Sequence, residues 1–390
     1  GTVLTEKVSK RKVKIIIDGK ALVDDHFSGV GHYAKGICEG LDEIMETDHN
    51  LDVRIAVPFK RADRLPKFGF KNIKVAPIPL PMRVFRRLTT KGALPPMDLV
   101  VGRGVYFFPD YVRWPLANSR SITTIHDLSF EEVPQFVDDN NARFLRKTTR
   151  NSVAKSDKVA TVTNTMKGII EKFYKLDSSR VMVTHNAANL AVFYKHNEKD
   201  IERVKLKYKI FGKYIFTVGN IEPRKNQVSI VEAFMKLPKE IADEYTLVLA
   251  GAGAWKDEKI HEVVKKAIKK GYRVTMLLGV VTDEEMPILY SGASMMIYAS
   301  FYEGYGMPIV EAMACRTPVI CSNASVMPEV AGDAALMIDP HKVSDIKNAI
   351  IKLHDNPELA KEMVEKGIEN VKRYDWKKEA QKLVDVAREF

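Results

Sequence analysis

Two glutamates, Glu303 and Glu311, stand eight residues apart in SFYEGYGMPIVEAMACRTPVICS, with Gly304, Gly306 and Pro308 between them. Glycine lets a backbone approach a ligand closely. Proline suits the opening turn of a helix, where its missing N–H is not needed. A helix that starts beside a glycine loop offers unbonded N–H groups and the positive end of its dipole, a setting for phosphate. Two carboxylates then suit the hydroxyls of a ribose and of a sugar, which a nucleotide phosphate commonly joins. The pattern reads as a sugar-nucleotide site.

A second group lies in GNIEPRKN, which follows the strand-like KYIFTVGN and holds Gly219, Arg224 and Lys225. A guanidinium beside an ammonium suits a pyrophosphate, where negative charge grows as a leaving group departs. The plain alternative is a surface pair of the kind any loop carries. His126 ends the strand-like SITTI, where an imidazole is placed to touch a substrate; a buried, hydrogen-bonded structural histidine is the alternative. His185 also follows a strand and is a weaker candidate. Gly29 and Gly31 in SGVG open a helix and can present N–H groups to a phosphate. With no third glycine and no Walker lysine, the dinucleotide and P-loop fingerprints are incomplete, and taken alone a plain turn is the better account of the pair.

The elements that must position these residues alternate strand and helix almost throughout, which argues for parallel sheets with crossover helices. Stretches 13–19, 51–58, 97–103, 120–128 and 157–163 read as strands of a first series, with helices over about 30–45, 140–155 and 164–174. A fresh series begins at 213–220 and continues at 246–253, 273–279, 294–300 and 317–322, with a helix at 227–235 and three helical stretches at the end. Periodicity lapses near 187–200, so that stretch is the expected boundary. Ligands of such doubly wound units sit beyond the carboxyl ends of the strands. The segment 77–97 is proline-rich and holds Arg83, Arg86, Arg87 and Lys91 around Val84, Phe85 and Leu88. As a helix it would pair a basic with an apolar face, as interfacial helices do; an exposed loop is the alternative.

Composition sets outer limits. At 390 residues and 45% apolar content, the chain has room for two domains with real cores. No apolar run reaches the roughly 18 residues of a membrane span, and the leading segment has no signal-peptide core. The 3 cysteines show no metal spacing, which fits a reducing compartment. The net charge of +11 is spread along the chain rather than packed into one arm. That distribution speaks against nucleic acid, and leaves an anionic membrane face or a phosphorylated substrate beside a merely solvated basic surface.

Taken together, Glu303-x7-Glu311, the later PEVAGDAALMIDP, GNIEPRKN and TIHDL resemble family 4 of the retaining GT-B glycosyltransferases. The likeness spans nearly the whole chain and is densest over 213–340. It implies an α/β chain of GT-B type, with two Rossmann-like doubly wound domains facing across a cleft. It assigns residues 1–187 to acceptor binding, with helix 375–390 returning to that domain, and residues 188–374 to the nucleotide-sugar donor. Carried onto this sequence, Glu303 would contact the transferred sugar and Glu311 the ribose. Gly304 and the N–H groups of Tyr305, Gly306 and Met307 would approach sugar and phosphates. Arg224 and Lys225, beside Gly219, would hold the pyrophosphate; Gly29 and Gly31 would meet phosphate from the first domain; His126 would touch the sugar near the reacting carbon.

The implied reaction is hexosyl transfer of mannose or glucose type from a nucleotide-diphosphate sugar to a glycan or lipid-linked acceptor, with no obligatory metal and no other cofactor. It would run in the cytoplasm or at the inner membrane face. The rivals are another enzyme on the same architecture, such as a sugar-nucleotide epimerase or phosphorylase, and a non-catalytic binding subunit. Two departures stand out. Cys315 replaces the usual glycine at a helix end, and Asn186-Ala187-Ala188-Asn189 replaces the usual Asn-Gly-Val/Ile-Asp.

Overall fold

A computed structural model describes residues 11–252 and 258–390. The segment 1–10, read above for a signal peptide, and Gly253 at the end of the stretch 246–253 lie outside the described residues. The chain divides into two compact units, Gly1–Asn186 with Tyr374–Phe390, and Ala187–Arg373.

The first unit is built on a parallel sheet of seven strands in the order β3-β2-β1-β4-β5-β6-β7. They are β1 Val13–Asp18, β2 Leu51–Pro58, β3 Lys74–Ile78, β4 Val105–Phe108, β5 Ser121–Thr124, β6 Lys158–Thr161 and β7 Val181–Val183. The second unit has six parallel strands in the order β10-β9-β8-β11-β12-β13. These are β8 Lys213–Val218, β9 Tyr245–Gly251, β10 Val274–Leu278, β11 Met295–Tyr298, β12 Val319–Ser322 and β13 Ala335–Ile338. Runs such as Ile15-Ile16-Ile17 and Met295-Met296-Ile297-Tyr298 are buried without alternation, as strands covered on both faces must be. In each unit the strand order reverses once, between β1 and β4 and between β8 and β11. The crevice of a doubly wound sheet opens at such a point, beyond the carboxyl ends.

Five helices matter below: α1 Gly29–Met45, α2 Met82–Thr90, α3 Gln227–Met235, α4 Met307–Ala314 and α5 Trp376–Glu389. Helix α5 packs on α1 within the first unit. A Cβ at Gly36 would lie 2.1 Å from the Trp376 ring, and one at Gly40 would lie 2.2 Å from the Trp376 carbonyl oxygen. These two glycines form the seat for the last helix. Leu383, Val384 and Ala387 complete its buried face.

Two sequence readings change. The stretch 97–103 is not a strand. Buried Asp98 accepts the N–H groups of Ala117, Asn118 and Ser119, which holds Met97–Leu99 in a 3₁₀ turn and moves the strand to β4. The segment 77–97 contains α2, but its apolar side is already used: Met82 and Phe85 are buried, and Phe85 meets Trp114 edge-on at 5.6 Å. What faces outward is Arg83, Arg86 and Arg87 with a single apolar residue, Val84. Among the described residues no helix is long and apolar enough to cross a membrane.

Candidate active site

In the second unit, two loops leave the carboxyl ends of adjacent strands. One runs from β8 through Gly219 to a 3₁₀ turn at Pro223–Lys225 and into α3; the other runs from β11 to α4. Strand adjacency brings them together, and hydrogen bonds to backbone carbonyls tie them. Phe301 N–H donates to the Arg224 carbonyl at 2.9 Å. Arg224 Nη1 donates to the Tyr302 carbonyl at 2.7 Å. Asn226, in the left-handed region at φ 60°, reaches the carbonyls of Ala299 and Pro340, each at 2.9 Å. Gly219 has φ 149°, and a Cβ there would lie 3.2 Å from the Lys225 stem.

Glu303 is the centre of this arrangement and is 6% exposed. Its Oε1 accepts from Lys225 Nζ at 2.5 Å, the Tyr298 hydroxyl at 2.6 Å and the Ser300 hydroxyl at 2.9 Å. Its Oε2 lies 3.2 Å from Arg224 Nη1. Arg224 also pairs with Glu222 at 2.8 Å, and the Lys225 ammonium sits 5.1 Å from the centre of the Tyr298 ring. Burial alone would raise the Glu303 pKa, but Lys225 and then Arg224 outweigh it and hold the carboxyl below its usual range. Burial likewise opposes the Arg224 charge, and Glu303 with Glu222 overturns that and raises its pKa. Tyr298, buried beside a carboxylate, has its pKa raised and stays a donor. The Ser325 hydroxyl clamps the Glu303 backbone, donating to its carbonyl at 3.0 Å and accepting its N–H at 3.3 Å.

Gly306, at φ 90°, precedes α4, and Pro308 lies in its first turn. No group among the described residues accepts the N–H of Gly306 or Met307. Glu311 lies one turn further along α4, outside the Glu303 cluster. It is partly exposed, among the described residues its carboxylate accepts only the Tyr290 hydroxyl at 3.2 Å, and burial pushes its pKa up to about 7. The helix ends without glycine at Cys315. Arg316 takes the left-handed position at φ 62°, while Arg316 N–H bonds the Met313 carbonyl and Thr317 N–H the Ala312 carbonyl. This is a Schellman closure with arginine where glycine is favoured. Asn189 forms a local turn, its Oδ1 accepting the Ala191 N–H at 3.1 Å.

In the first unit, His126 follows β5. Its Nε2 donates to the Pro109 carbonyl at 2.7 Å, which leaves Nδ1 as the acceptor of the neutral ring. Burial lowers its pKa, and the Tyr33 ring stands edge-on at 4.9 Å. Gly29 begins α1 with open space at its Cβ position. Gly31 is different: its N–H goes to the Ser28 hydroxyl at 3.4 Å, and Phe27 fills the space beside it. His185 stacks on Tyr374 at 3.7 Å, and its N–H bonds Glu379. Sequence reasoning missed Tyr298, Ser300 and Ser325, whose link to Glu303 depends on the folded loop. A tyrosine closing a strand at the carboxyl edge was the available signal.

The sequence matches two family models: "Glycosyltransferase Family 4" over residues 27–192 and "Glycosyl transferases group 1" over residues 198–370. O-antigen chain mannosyltransferase B of Escherichia coli is 30% identical over 70% of this chain and 71% of its own length. The chain belongs to glycosyltransferase family 4. The glycosyltransferase is also 32% identical to O-antigen chain mannosyltransferase RfbU of Salmonella typhimurium, over 63% of each chain. In fold it is similar to sucrose-phosphate synthase from Thermosynechococcus elongatus, with TM-score 0.72, 18% identity and coverage of 97% and 99% of the two chains. It is similar as well to Anabaena HepE in complex with UDP-glucose, with TM-score 0.69, 15% identity and coverage of 97% and 100%. These glycosyltransferases share the GT-B fold.

Proposed function

We propose that this glycosyltransferase moves a mannosyl residue from a nucleoside-diphosphate sugar to a glycan or lipid-linked acceptor in surface-polysaccharide synthesis, retaining the anomeric configuration. The carrying observation is Glu303, held ionised by Lys225 and Arg224 beside the unbonded N–H groups that open α4. The two O-antigen mannosyltransferase relatives favour mannose and a polysaccharide product. The UDP-glucose bound by HepE makes a UDP-hexose the second donor to try.

Each residue has a physical role in this reading. Oε1 of Glu303 already accepts three hydrogen bonds, so a sugar hydroxyl approaches Oε2, which among the described residues faces only Arg224. Arg224, Lys225 and the N–H groups of Gly306 and Met307 stabilise the charge that grows on the departing diphosphate. That charge supply does the work a metal does elsewhere, so no divalent ion is obligatory in this proposal. Glu311 takes the ribose hydroxyls. His126 offers Nδ1 to a substrate hydroxyl. No carboxylate is assigned as a nucleophile; attack on the same face is assisted by the leaving phosphate.

Incubation with GDP-mannose and a UDP-hexose panel, with and without mannoside acceptors, tests the reading. Release of nucleoside diphosphate must depend on the acceptor and survive EDTA. Release that depends on phosphate, or conversion of the donor with no acceptor consumed, favours the phosphorylase or epimerase instead. Peripheral binding to anionic membrane rests on the exposed Arg83, Arg87 and Lys91 of the α2 segment. Co-sedimentation with phosphatidylglycerol vesicles tests it, and no binding at low salt defeats it.

A further inference from the structure

The carboxyl edge of the first sheet carries a second constellation. Asp18 closes β1 and is 4% exposed. Its Oδ1 accepts the Lys20 N–H at 3.0 Å. Its Oδ2 accepts no hydrogen bond among the described residues, yet it is not sealed from solvent. The Lys20 ammonium makes no hydrogen bond or ion pair among the described residues either. It does lie in the field of Asp110, Asp18 and Asp24, which together outweigh the effect of its burial. Asp110 uses Oδ1 for the Val112 N–H at 2.9 Å.

Strand order explains the assembly. β1 pairs with β4 through Ile17 and Phe107, and β4 pairs with β5 through Phe108 and Thr123. Asp18, Asp110 and His126 therefore leave three neighbouring strands side by side, and His126 grips the carbonyl of Pro109, next to Asp110. Gly19 fixes the turn between Asp18 and Lys20. A Cβ there would lie 2.4 Å from Ile55 and 2.6 Å from Val57, so the backbone is pressed against β2 and cannot drift.

The chemistry selects a ligand. Carboxylates outnumber the ammonium, which disfavours an anion. An ammonium stands among the carboxylates, and the described residues hold no group of three or more metal-ligating side chains, which disfavours a divalent cation. A neutral polyol has both donors and acceptors to match. We propose that Asp18, Lys20 and Asp110 form the hydroxyl-binding centre of the acceptor subsite: Asp18 Oδ2 and Asp110 accept hydrogens from neighbouring hydroxyls of an acceptor sugar, and Lys20 donates to a hydroxyl oxygen. This assignment rests on the glycosyl-transfer reading above and specifies its acceptor side.

The test uses the full chain, GDP-mannose and octyl α-mannoside as acceptor probe, with D18N and K20M as variants. Asp18→Asn keeps the shape and an acceptor for the Lys20 N–H. It should also keep or raise Tm, because burial disfavours the charge it removes. Each variant should raise the acceptor KM by about tenfold or more while leaving the donor KM within about twofold of native. Saturation-transfer NMR should show pyranose protons of the mannoside in contact with the native chain, and lose them in D18N. Acceptor KM within about twofold of native in both variants, with native-like donor KM, overturns the subsite alone. Absence of any donor turnover by the native chain overturns glycosyl transfer itself.

Discussion

Replacing Glu303 by glutamine should weaken catalysis and tighten nucleotide binding at once. Glu222, Glu303, Arg224 and Lys225 balance to zero charge in the free site. A bound diphosphate must therefore share both cations with Glu303. The amide nitrogen introduced by Glu303→Gln would meet Arg224 where Oε2 stands 3.2 Å away, a donor facing a donor, and the tetrad would gain one positive charge. A unit charge at about 4 Å is worth about 4 kcal/mol in a dielectric near 20. Screening by the open face and by Glu222 reduces this to about 1–2 kcal/mol, a five- to thirtyfold gain in affinity for the nucleoside diphosphate. Stability moves the other way. Breaking a buried pair costs about 3–5 kcal/mol, and the retained Arg224–Glu222 and Lys225–Tyr298 contacts bring the expected loss to about 2–3 kcal/mol. Calorimetric titration of nucleoside diphosphate into native and E303Q protein reads the first effect, and urea unfolding reads the second. Weaker nucleotide binding in a folded E303Q protein would refute the idea that Glu303 competes with the diphosphate for the cations.

Other outcomes follow from single features. Glu311 and Asp18 both have pKa values raised to about 7 by burial, so the stability they contribute is full below their unfolded pKa values near 4 and is lost as pH rises toward 7. Glu311→Gln should therefore unfold like the native chain at pH 4 and be more stable at pH 8, by at most about 3 kcal/mol; equal urea midpoints at pH 8 would contradict this. Arg316→Gly should add about 1 kcal/mol by relieving the left-handed backbone, read as a Tm increase of a few degrees; a decrease would mean that the arginine side chain matters there. Gly36→Ala should cost about 2–3 kcal/mol through overlap with Trp376, visible as an earlier urea transition of the first unit; an unchanged transition would show that α5 is not seated there.

The fold was largely legible because buried parallel strands announce themselves as unbroken runs, such as VKIIID and KYIFTV. It was less legible at the margins. β3 and β13 are edge strands with exposed positions, so they lack that signature. The stretch 97–103 looks like a strand only if the carboxylate of Asp98 is ignored, and its three N–H partners lie 19 to 21 residues away. The glutamate spacing and the Arg-Lys pair could be read from sequence because each lies within one short segment. The hydroxyls of Tyr298, Ser300 and Ser325 could not, since their bearing on Glu303 arises only when its loop closes back on itself. Val84 and Phe85 look alike in a hydrophobic pattern, yet one is exposed and the other buried against Trp114.

The seat of Trp376 on Gly36 and Gly40 has a temporal consequence. Synthesis starts the first unit, runs through the whole of the second, and only then supplies the helix that covers the glycine face of α1. Residues of the first unit thus wait for a packing partner made after the whole second unit, while Ala187–Arg373 is contiguous in sequence. A chain truncated after residue 373 should carry a complete second unit and a first unit with one flank still bare, a natural target for chaperones.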